Sequence, residues 1–456
     1  MSLGSAPLSH LAADLSSGAT TSRELVEQAL AAIEAPDGEG SRTFLSCNAD
    51  RARVEAEASD ALRKASVVPS PLAGLPISMK DLFDVAGEVT TAASPTLADD
   101  APAVRDSTVV ARLRAAGAIV LGRTNLTEFA YSGIGINPHF GTPGNPWDRT
   151  RGRIPGGSSS GAAVSVTDGM AAAAIGSDTG GSVRIPAALC GVTGLKTTTG
   201  RIPLDGVFPL SNTLDSAGPL APTVACCALL DAAMSGGDMW AEPVPLPIEG
   251  LRFGVPTTIV QDGMDDTVSR AFQAALDRLS AAGALLRDIA FDPFADILEV
   301  SAAGGILGAE AYALHRDRLA AKGNMVDPRV RTRIERGAKI SGADLLDVIR
   351  ARADIQARAD AIGADYDALL MPTVAIVAPP IDDIVASDEL YAEMNPFILR
   401  NTTFGNFLDR CALSIPIHEP GEAPVGLMIV DGTGADAHLI RVGLAIEKIV
   451  RALSGY

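Results

Sequence analysis

Apolar strands and amphipathic helices alternate along most of this 456-residue chain, and this alternation limits the fold more than any other feature. The segment DSTVVARLRAAGAIVLGRTN, residues 106–125, predicts a helix capped by Asp106, stopped at Gly117 and followed by a strand. The same order recurs in GAAVSVTDGMAAAAIGSD, residues 161–178. Strands joined through helices form a mostly parallel sheet with helices on its faces. The sequence therefore predicts an α/β fold with a large mixed, mostly parallel central sheet covered by helices on both faces.

Further patterns predict how the chain is divided. In TTSRELVEQALAAIEA, Thr21 and Glu24 match a capping box at the start of an amphipathic helix, and a second helix is predicted over about 48–65. Residues from about 290 to 365 have a mainly helical and strongly charged pattern, which predicts a helical lobe at the surface. Length alone favours about three domains. Because large α/β cores hold more residues, we expect one domain over 1–456 that contains the lobe.

Charge, cysteine usage and apolar patterning argue against several classes of function. The net charge of −18 repels phosphate backbones, so no nucleic-acid partner is expected. The five cysteines are scattered and form no CxxC pair, which argues against disulfides and zinc sites and favours the reducing cytoplasm. The N-terminal segment has no basic region followed by an apolar stretch, and no apolar run reaches about 18 residues. We therefore expect neither a secretory signal nor a membrane span.

The segment IGSDTGGSVRIPA, residues 175–187, places a bare polar loop directly after a strand of small residues. In open α/β sheets, the loops that leave the carboxyl ends of strands build the active site. Gly180 and Gly181 carry no Cβ, so backbone N–H groups can point into a cavity and form an oxyanion hole. Ser182 at the end of this loop is a candidate nucleophile. The alternative interpretation is an ordinary glycine turn.

A second glycine-serine loop, GGSSSG at 156–161, could cradle a phosphate at a helix N-terminus. No GxxxxGK[ST] pattern follows it, so it is not a P-loop. The segment GIGINP also departs from GxGxxG, because Pro138 replaces the last glycine. These departures argue against nucleotide binding.

A serine nucleophile needs a base, and two residues are candidates. None of the five histidines has a recognisable triad context and no GxSxG elbow occurs. His139, in NPHFGTPGNP, is the best histidine candidate, with a structural turn as its alternative. Lys80 ends the apolar strand GLPISMK, where a buried lysine would have a lowered pKa and could act as a base. The alternative for Lys80 is a surface lysine whose stem packs on apolar atoms.

Taken together, three segments resemble the amidase signature family. They are ISMKD, PGGSSSG and GSDTGGSVRIPAALCGVTGLK, and they follow one another in the family's order and spacing. The signature block spans about 156–196, and weaker similarity in TSRELV, GRTNLTEFA, DALLMPT, ALSIP and PVGLMIV covers most of the remaining chain. The resemblance implies the α/β fold of that family.

The resemblance also implies a Ser–cisSer–Lys triad. Ser182 matches the nucleophile, Lys80 matches the base, and Ser158 matches the bridging serine whose preceding peptide bond is cis. A neutral Lys80 would take a proton from Ser158, which would take one from Ser182. Ser182 would then attack the amide carbonyl and form an acyl-enzyme that water hydrolyses.

Supporting roles follow from the same resemblance. Asp178 and Arg184 match a pair that braces the loop. The matching oxyanion hole uses four backbone N–H groups, those of Thr179, Gly180, Gly181 and Ser182. One departure is Ser160, which stands where the family most often has glycine, and only local consequences are expected because it lies beyond the triad serine.

These features predict an amidase that hydrolyses a small or medium carboxamide, with no metal or other cofactor. The alternative is the A subunit of a glutamine-dependent Asp/Glu-tRNA amidotransferase. Those subunits usually carry a tyrosine- and lysine-rich stretch that SGADLLDVIRARAD lacks, which favours a stand-alone amidase. A binding module with a degraded site is a further alternative, and the intact Lys80, Ser158 and Ser182 argue against it. The expected partner is a small amide, and a homodimer is left open.

Overall fold

The computed structural model describes residues 3–237 and 243–451 and is organised around one eleven-stranded sheet. The strands lie in the order β1-β3-β2-β4-β6-β5-β10-β11-β9-β7-β8. Their bounds are β1 Phe44–Cys47, β2 Pro76–Lys80, β3 Ile119–Thr124, β4 Ala173–Asp178, β5 Thr193–Lys196, β6 Ser216–Ala221, β7 Arg252–Pro256, β8 Leu285–Ile289, β9 Ala368–Pro372, β10 Ala412–Pro416 and β11 Gly426–Val430.

Helices connect many of these strands and pack around the sheet. Their bounds are α1 Leu8–Ser17, α2 Ser22–Glu34, α3 Gly40–Thr43, α4 Ala49–Lys64, α5 Thr108–Ala115, α6 Ser160–Thr167, α7 Arg184–Cys190, α8 Val224–Ser235, α9 Asp266–Ala281, α10 Pro293–Ser301, α11 Gly305–Lys322, α12 Pro328–Arg336, α13 Gly342–Gly363, α14 Ile381–Val385, α15 Asp388–Phe407 and α16 Asp436–Val450.

The α/β class and the mixed sheet are confirmed, but the sheet is less parallel than predicted. In the described chain, β2 pairs in parallel with β3 and β4, and β7 pairs in parallel with β8 and β9. The other six pairings are antiparallel. The reason lies in the connections: no α-helix separates β5 from β6 or β10 from β11. Strands joined without a helical crossover pair as antiparallel neighbours.

The central strands are buried on both sides. Every residue of β2, β4, β5, β6, β10 and β11 is buried. Because successive side chains of a strand point to opposite faces, both faces of this part of the sheet are covered. This agrees with the predicted helical layers.

Local helix signals are confirmed at two of three positions. Thr21 and Glu24 form the predicted capping box of α2, and the Asn48 side chain caps α4. The cap predicted at Asp106 was wrong by one residue. The Ser107 side chain accepts the N–H of Val110 at the start of α5. Asp106 instead accepts the backbone N–H of Ala86 at 2.8 Å, so its carboxylate links the start of α5 to the segment that contains Ala86.

The stretch around 290–365 is mainly helical, as predicted, and contains α10 to α13. By length and composition alone, Pro293–Met325 is apolar enough to cross a membrane, which the sequence patterning did not predict. The backbone interrupts this stretch, because α10 ends at Ser301 and Gly304, with φ +111°, precedes α11. One such stretch is weak evidence for a membrane span. The description of 290–365 as a surface lobe within a single domain remains a prediction.

Candidate active site

Two parallel neighbours of the sheet, β2 and β4, bring the predicted site together. Ile77 pairs with Ala173 and Met79 with Ile175. Lys80 is therefore the last residue of one strand, and Asp178 is the last residue of its neighbour. Because the carboxyl ends of parallel strands lie at the same edge, both loops begin beside each other.

Lys80 lies in the interior, with its ammonium group between two serine hydroxyls. Its side chain is fully buried. Nζ is 2.7 Å from Ser158 Oγ and 2.9 Å from Ser177 Oγ. Burial lowers the pKa of Lys80 to about 7, although the negative charges of Asp178 and Asp215 act in the opposite direction. A large fraction of Lys80 is therefore neutral near neutral pH, as a general base must be.

The glycine-serine loop places Ser158 through its backbone. The Gly157–Ser158 peptide bond is cis, in agreement with the family resemblance. On one side, the N–H of Thr127 donates to Ser158 O at 3.1 Å. On the other side, the N–H of Ser159 donates to Ser182 O at 3.2 Å and joins the two serine loops directly. Ser160, the departure from the family pattern, begins α6, and its hydroxyl donates to Asn125 O at 3.4 Å.

The loop from Thr179 to Ser182 needs a glycine at position 181 for close packing against α15. Gly181 has φ +130°, and a Cβ there would lie 2.0 Å from Thr402 Oγ1. The same hydroxyl donates to Gly180 O at 2.7 Å. A side chain at Gly181 would therefore displace Thr402 and break its hydrogen bond to Gly180 O.

The backbone N–H groups of this loop differ in their availability. The Gly181 N–H already donates to Asp178 Oδ1 at 2.9 Å, which differs from the four-donor oxyanion hole that the sequence predicts. Within residues 3–237 and 243–451, the N–H groups of Thr179, Gly180 and Ser182 donate to no protein acceptor. These three groups are the donors left for a developing oxyanion.

Asp178 and Arg184, the two residues expected to brace the loop, form a buried ion pair. Arg184 Nη2 lies 2.9 Å from Asp178 Oδ1, and both side chains are fully buried. Burial alone would raise the pKa of Asp178, but the guanidinium of Arg184 holds it well below its usual range. Asn406 completes the pair, because it accepts from Arg184 at 2.6 Å and donates to Asp178 at 2.9 Å.

His139 does not lie in this constellation. Its Nε2 is 3.3 Å from Glu128 Oε2, and its backbone N–H donates to Asn137 Oδ1. Among the described residues there are also no three His, Cys, Asp or Glu side chains arranged to hold a metal ion. His139 therefore contacts Glu128, whereas Lys80 contacts Ser158 and Ser177.

Sequence reasoning missed four residues of the site: Ser177, Asp215, Thr402 and Asn406. Ser177 is the residue before Asp178, so its position at a strand end was a usable signal. Thr402 and Asn406 lie on α15, more than 200 residues after the loop, and no local pattern connects them with it. Asp215 ends the loop before β6.

A family model described as Amidase matches residues 24–440. The chain therefore belongs to the amidase signature family and is a hydrolase of carbon–nitrogen amide bonds.

Two curated relatives show the range of activities near this chain. It is 38% identical to 2-amino-5-chloromuconic acid deaminase of Comamonas testosteroni over 88% of this chain and 87% of the relative. It is 36% identical to the A subunit of the glutamyl-tRNA(Gln) amidotransferase of Roseiflexus sp. (strain RS-1) over 95% of this chain and 94% of the relative.

A solved structure supports the fold over almost the full length. The native peptide amidase from Stenotrophomonas maltophilia superposes with a TM-score of 0.82 at 27% identity. The match covers 98% of this chain and 97% of that enzyme. The sheet and its surrounding helices therefore follow those of a known amidase.

Proposed function

We propose that Lys80, Ser158 and Ser182 form the catalytic triad of this amidase, which hydrolyses a small or medium carboxamide to a carboxylate and ammonia or an amine. The observation that carries the proposal is the 2.7 Å contact between Lys80 Nζ and Ser158 Oγ in a fully buried environment. A hydrogen bond from the backbone N–H of Ser159 to Ser182 O connects the loop of Ser158 with Ser182, the third residue of the triad.

The first half-reaction forms an acyl-enzyme. Neutral Lys80 accepts the Ser158 hydroxyl proton while Ser158 accepts the proton of Ser182. The Ser182 oxygen attacks the amide carbon, and the carbonyl π electrons move to oxygen. The N–H groups of Thr179, Gly180 and Ser182 would stabilise that oxyanion. When it collapses, the carbon–nitrogen bond breaks and the leaving nitrogen takes a proton from Lys80 through Ser158.

The second half-reaction uses the same groups with water. Water gives up a proton along the path from Ser158 to Lys80 as its oxygen attacks the acyl carbon. The bond to Ser182 Oγ then breaks and Ser182 recovers its proton. The product leaves as a carboxylic acid, which gives its remaining proton to the released ammonia or amine, or to solvent, and becomes the carboxylate. Each proton taken up by Lys80 is returned within the cycle, so the reaction needs only amide and water.

The proposal extends to cellular setting and partners. The relatives named above include a deaminase of a small organic acid and a peptide amidase, which supports a small or medium amide as substrate. All five cysteines are free, which supports a cytoplasmic enzyme. We expect no nucleic-acid partner because of the net charge of −18, and a homodimer stays open.

Substitution of Ser182 tests the triad directly. Ser182→Ala should lose roughly 10⁴-fold or more in kcat/KM for ammonia release from an amide panel while its circular dichroism is unchanged. A serine-directed phosphonate or sulfonyl fluoride should label Ser182 in the wild type, as read by peptide mass spectrometry. Labelling at another residue together with an active Ser182→Ala variant would contradict the triad.

Chelation tests the expectation that no metal takes part. The desalted enzyme should keep full activity in EDTA, because the proposed path uses only side-chain hydroxyls, a lysine and backbone amides. Loss of activity in EDTA with recovery on adding zinc would overturn that path.

The subunit of an amidotransferase is a second candidate function, favoured by the 36% identity to such a subunit over 95% of this chain. The two functions differ in their need for partners. A stand-alone amidase should release ammonia from simple amides as a purified single protein. Ammonia release from glutamine that appears only with a second subunit, ATP and charged tRNA would establish the alternative.

A further inference from the structure

Behind the oxyanion loop lies a buried carboxylate to which the proposed mechanism gives no role. Thr179 Oγ1 donates to Asp215 Oδ1 at 2.5 Å. The other carboxylate oxygen accepts the backbone N–H groups of Leu210 at 2.9 Å and Ser211 at 3.1 Å. All three partners are donors, which is the environment of an ionised carboxylate. Asp215 is 7% exposed, and burial raises its pKa to about 6 against the effect of these donors, so the group is charged at neutral pH.

The register of β4 and β6 fixes Asp215 next to the loop. Asp178 pairs with Ser216, and Ser216 Oγ donates to Asp178 O at 2.9 Å. Asp215 and Thr179 are the next residues outward from this pair. The carboxylate therefore reaches the first residue of the oxyanion loop from the neighbouring strand.

The segment carrying Asp215 is itself anchored to α11. Thr213 donates to Glu310 through its hydroxyl at 2.6 Å and through its N–H at 3.2 Å. Ser211 Oγ also donates to Glu310. A continuous series of hydrogen bonds thus runs from α11 through this segment to Asp215 and Thr179. This anchoring limits the freedom of the Asp215 carboxylate to move away from the loop.

We propose that Asp215 is a positioning residue of the catalytic site: its carboxylate holds Thr179 by the hydroxyl and so fixes the backbone amides that receive the oxyanion. This inference rests on the proposed triad and adds to it a group that acts through Thr179. Misplacing a reacting or stabilising group by about 1 Å can cost about 100-fold in rate. Loss of Asp215 should therefore lower kcat more than it changes KM.

The charge of Asp215 also acts on Lys80, so loss of this charge should change the pH profile of the enzyme. Asp178 and Asp215 are the two anions whose charge favours the ammonium form of Lys80 and raises its pKa against the effect of burial. Asp178 is compensated by Arg184, with which it is paired. Removing the Asp215 charge should lower the pKa of Lys80, so the acidic limb of kcat/KM should move to lower pH.

The experiment compares Asp215→Asn, Thr179→Val and Thr179→Ser with the wild type in pH-dependent steady-state kinetics. Asp215→Asn should lower kcat about 10- to 100-fold, with KM changed less than about threefold, and should move the acidic limb to lower pH. Thr179→Val should lower kcat similarly without moving the limb, and Thr179→Ser should recover most of the rate. The double variant should lose less than the product of the single losses.

Asp231→Asn is the matched control, because Asp231 is also a buried carboxylate but pairs with Arg201. Asp231→Asn should keep the wild-type kcat and the wild-type position of the acidic limb of kcat/KM. If Asp215→Asn fails to fold, the two Thr179 variants carry the test. The inference about Asp215 would be overturned by an unchanged kcat in Thr179→Val, or by an acidic limb that does not move in Asp215→Asn. An inactive Ser182→Ala would still support the triad in that case. An active Ser182→Ala would overturn both.

Discussion

Two buried lysines, Lys80 and Lys196, end two strands of the same sheet and differ in what surrounds their ammonium groups. Both side chains are fully buried. Burial lowers the pKa of Lys80 to about 7, and burial together with the charge of Arg184 lowers the pKa of Lys196 to about 8. Judged by burial and pKa alone, both lysines are candidate bases.

Their hydrogen-bond partners separate them. Lys80 Nζ contacts the hydroxyls of Ser158 and Ser177. Lys196 Nζ donates to two backbone carbonyls, those of Thr197 at 2.8 Å and Arg410 at 3.0 Å. A hydroxyl can give up a proton and take one back, whereas a carbonyl can only accept a hydrogen bond. The comparison teaches that burial prepares a lysine for proton transfer but its partners decide whether transfer can occur.

The largest expected effect is the loss of activity when Lys80 is substituted. Lys80→Ala should lower kcat/KM by about 10³-fold or more, because general base catalysis by this residue is lost. It should also remove the rise of activity with pH through about 7. Lys80→Arg should not recover the rate, because a guanidinium stays charged in this range.

Steady-state kinetics between about pH 5 and 10 measure these changes, with circular dichroism as the folding control. A Lys80→Ala variant that kept both the rate and the pH dependence would show that the base lies elsewhere. His139, which contacts Glu128, would then be the next residue to substitute.

A second prediction sharpens the role of the two hydroxyls that contact Lys80. Ser158→Ala should lower kcat/KM by about 10²- to 10⁴-fold, because it removes the bridge that carries the proton from Ser182. Ser177→Ala should cost less than about tenfold, because the proposed proton path runs through Ser158 and only one hydrogen bond to Lys80 is lost. Parallel assays of both variants measure the ratio, and equal losses would contradict the proposed path.

A third prediction is that substitution of Lys196 lowers stability and leaves the catalytic rate nearly unchanged. Lys196→Met should leave two buried carbonyls without their donor and lower the free energy of unfolding by about 1–3 kcal/mol. The expected change in kcat is less than about threefold, because no partner of Lys196 can pass on a proton. Urea unfolding and steady-state kinetics on the same preparation test both halves. A rate loss comparable to that of Lys80→Ala would give Lys196 a catalytic role.

These two lysines also show how far the sequence can lead. GLPISMK and GVTGLK both end an apolar strand with lysine, so local pattern favours Lys80 and Lys196 equally as buried bases. Only the match to three family motifs distinguished them. The chemical difference lies in partners supplied by distant segments, such as the carbonyl of Arg410. Strand ends are readable from local pattern, whereas their tertiary partners are not.

The same limit applies to the fold. Short-range signals, such as the capping box of Thr21 and Glu24, were readable because they depend on four consecutive residues. The direction of the strands was not, because the segments before β6 and β11 contain no α-helix and return the chain antiparallel to β5 and β10. In the site, Ser182 and Asp178 were readable from one loop, whereas Asn406 reaches Asp178 from α15.

A further expected effect is a pH dependence of stability that both lysines share. A lysine whose pKa is lowered in the fold binds fewer protons there than in the unfolded chain, where it titrates near its ordinary pKa of 10.5. The free energy of unfolding should therefore rise with pH, from about 7 for Lys80 and from about 8 for Lys196, up to about 10.5. Cysteines act with the opposite sign, because they titrate near 9 in the unfolded chain while burial raises the pKa of Cys190 in the fold. The measured quantity is therefore the difference between the wild type and each variant. Urea unfolding between about pH 6.5 and 10 should show that Lys196→Met loses the rise only above about pH 8, whereas Lys80→Met loses it from about pH 7. A wild-type minus Lys196→Met difference that stayed flat across this range would mean that Lys196 remains charged in the folded protein, and the two lysines would then differ in charge state as well as in partners.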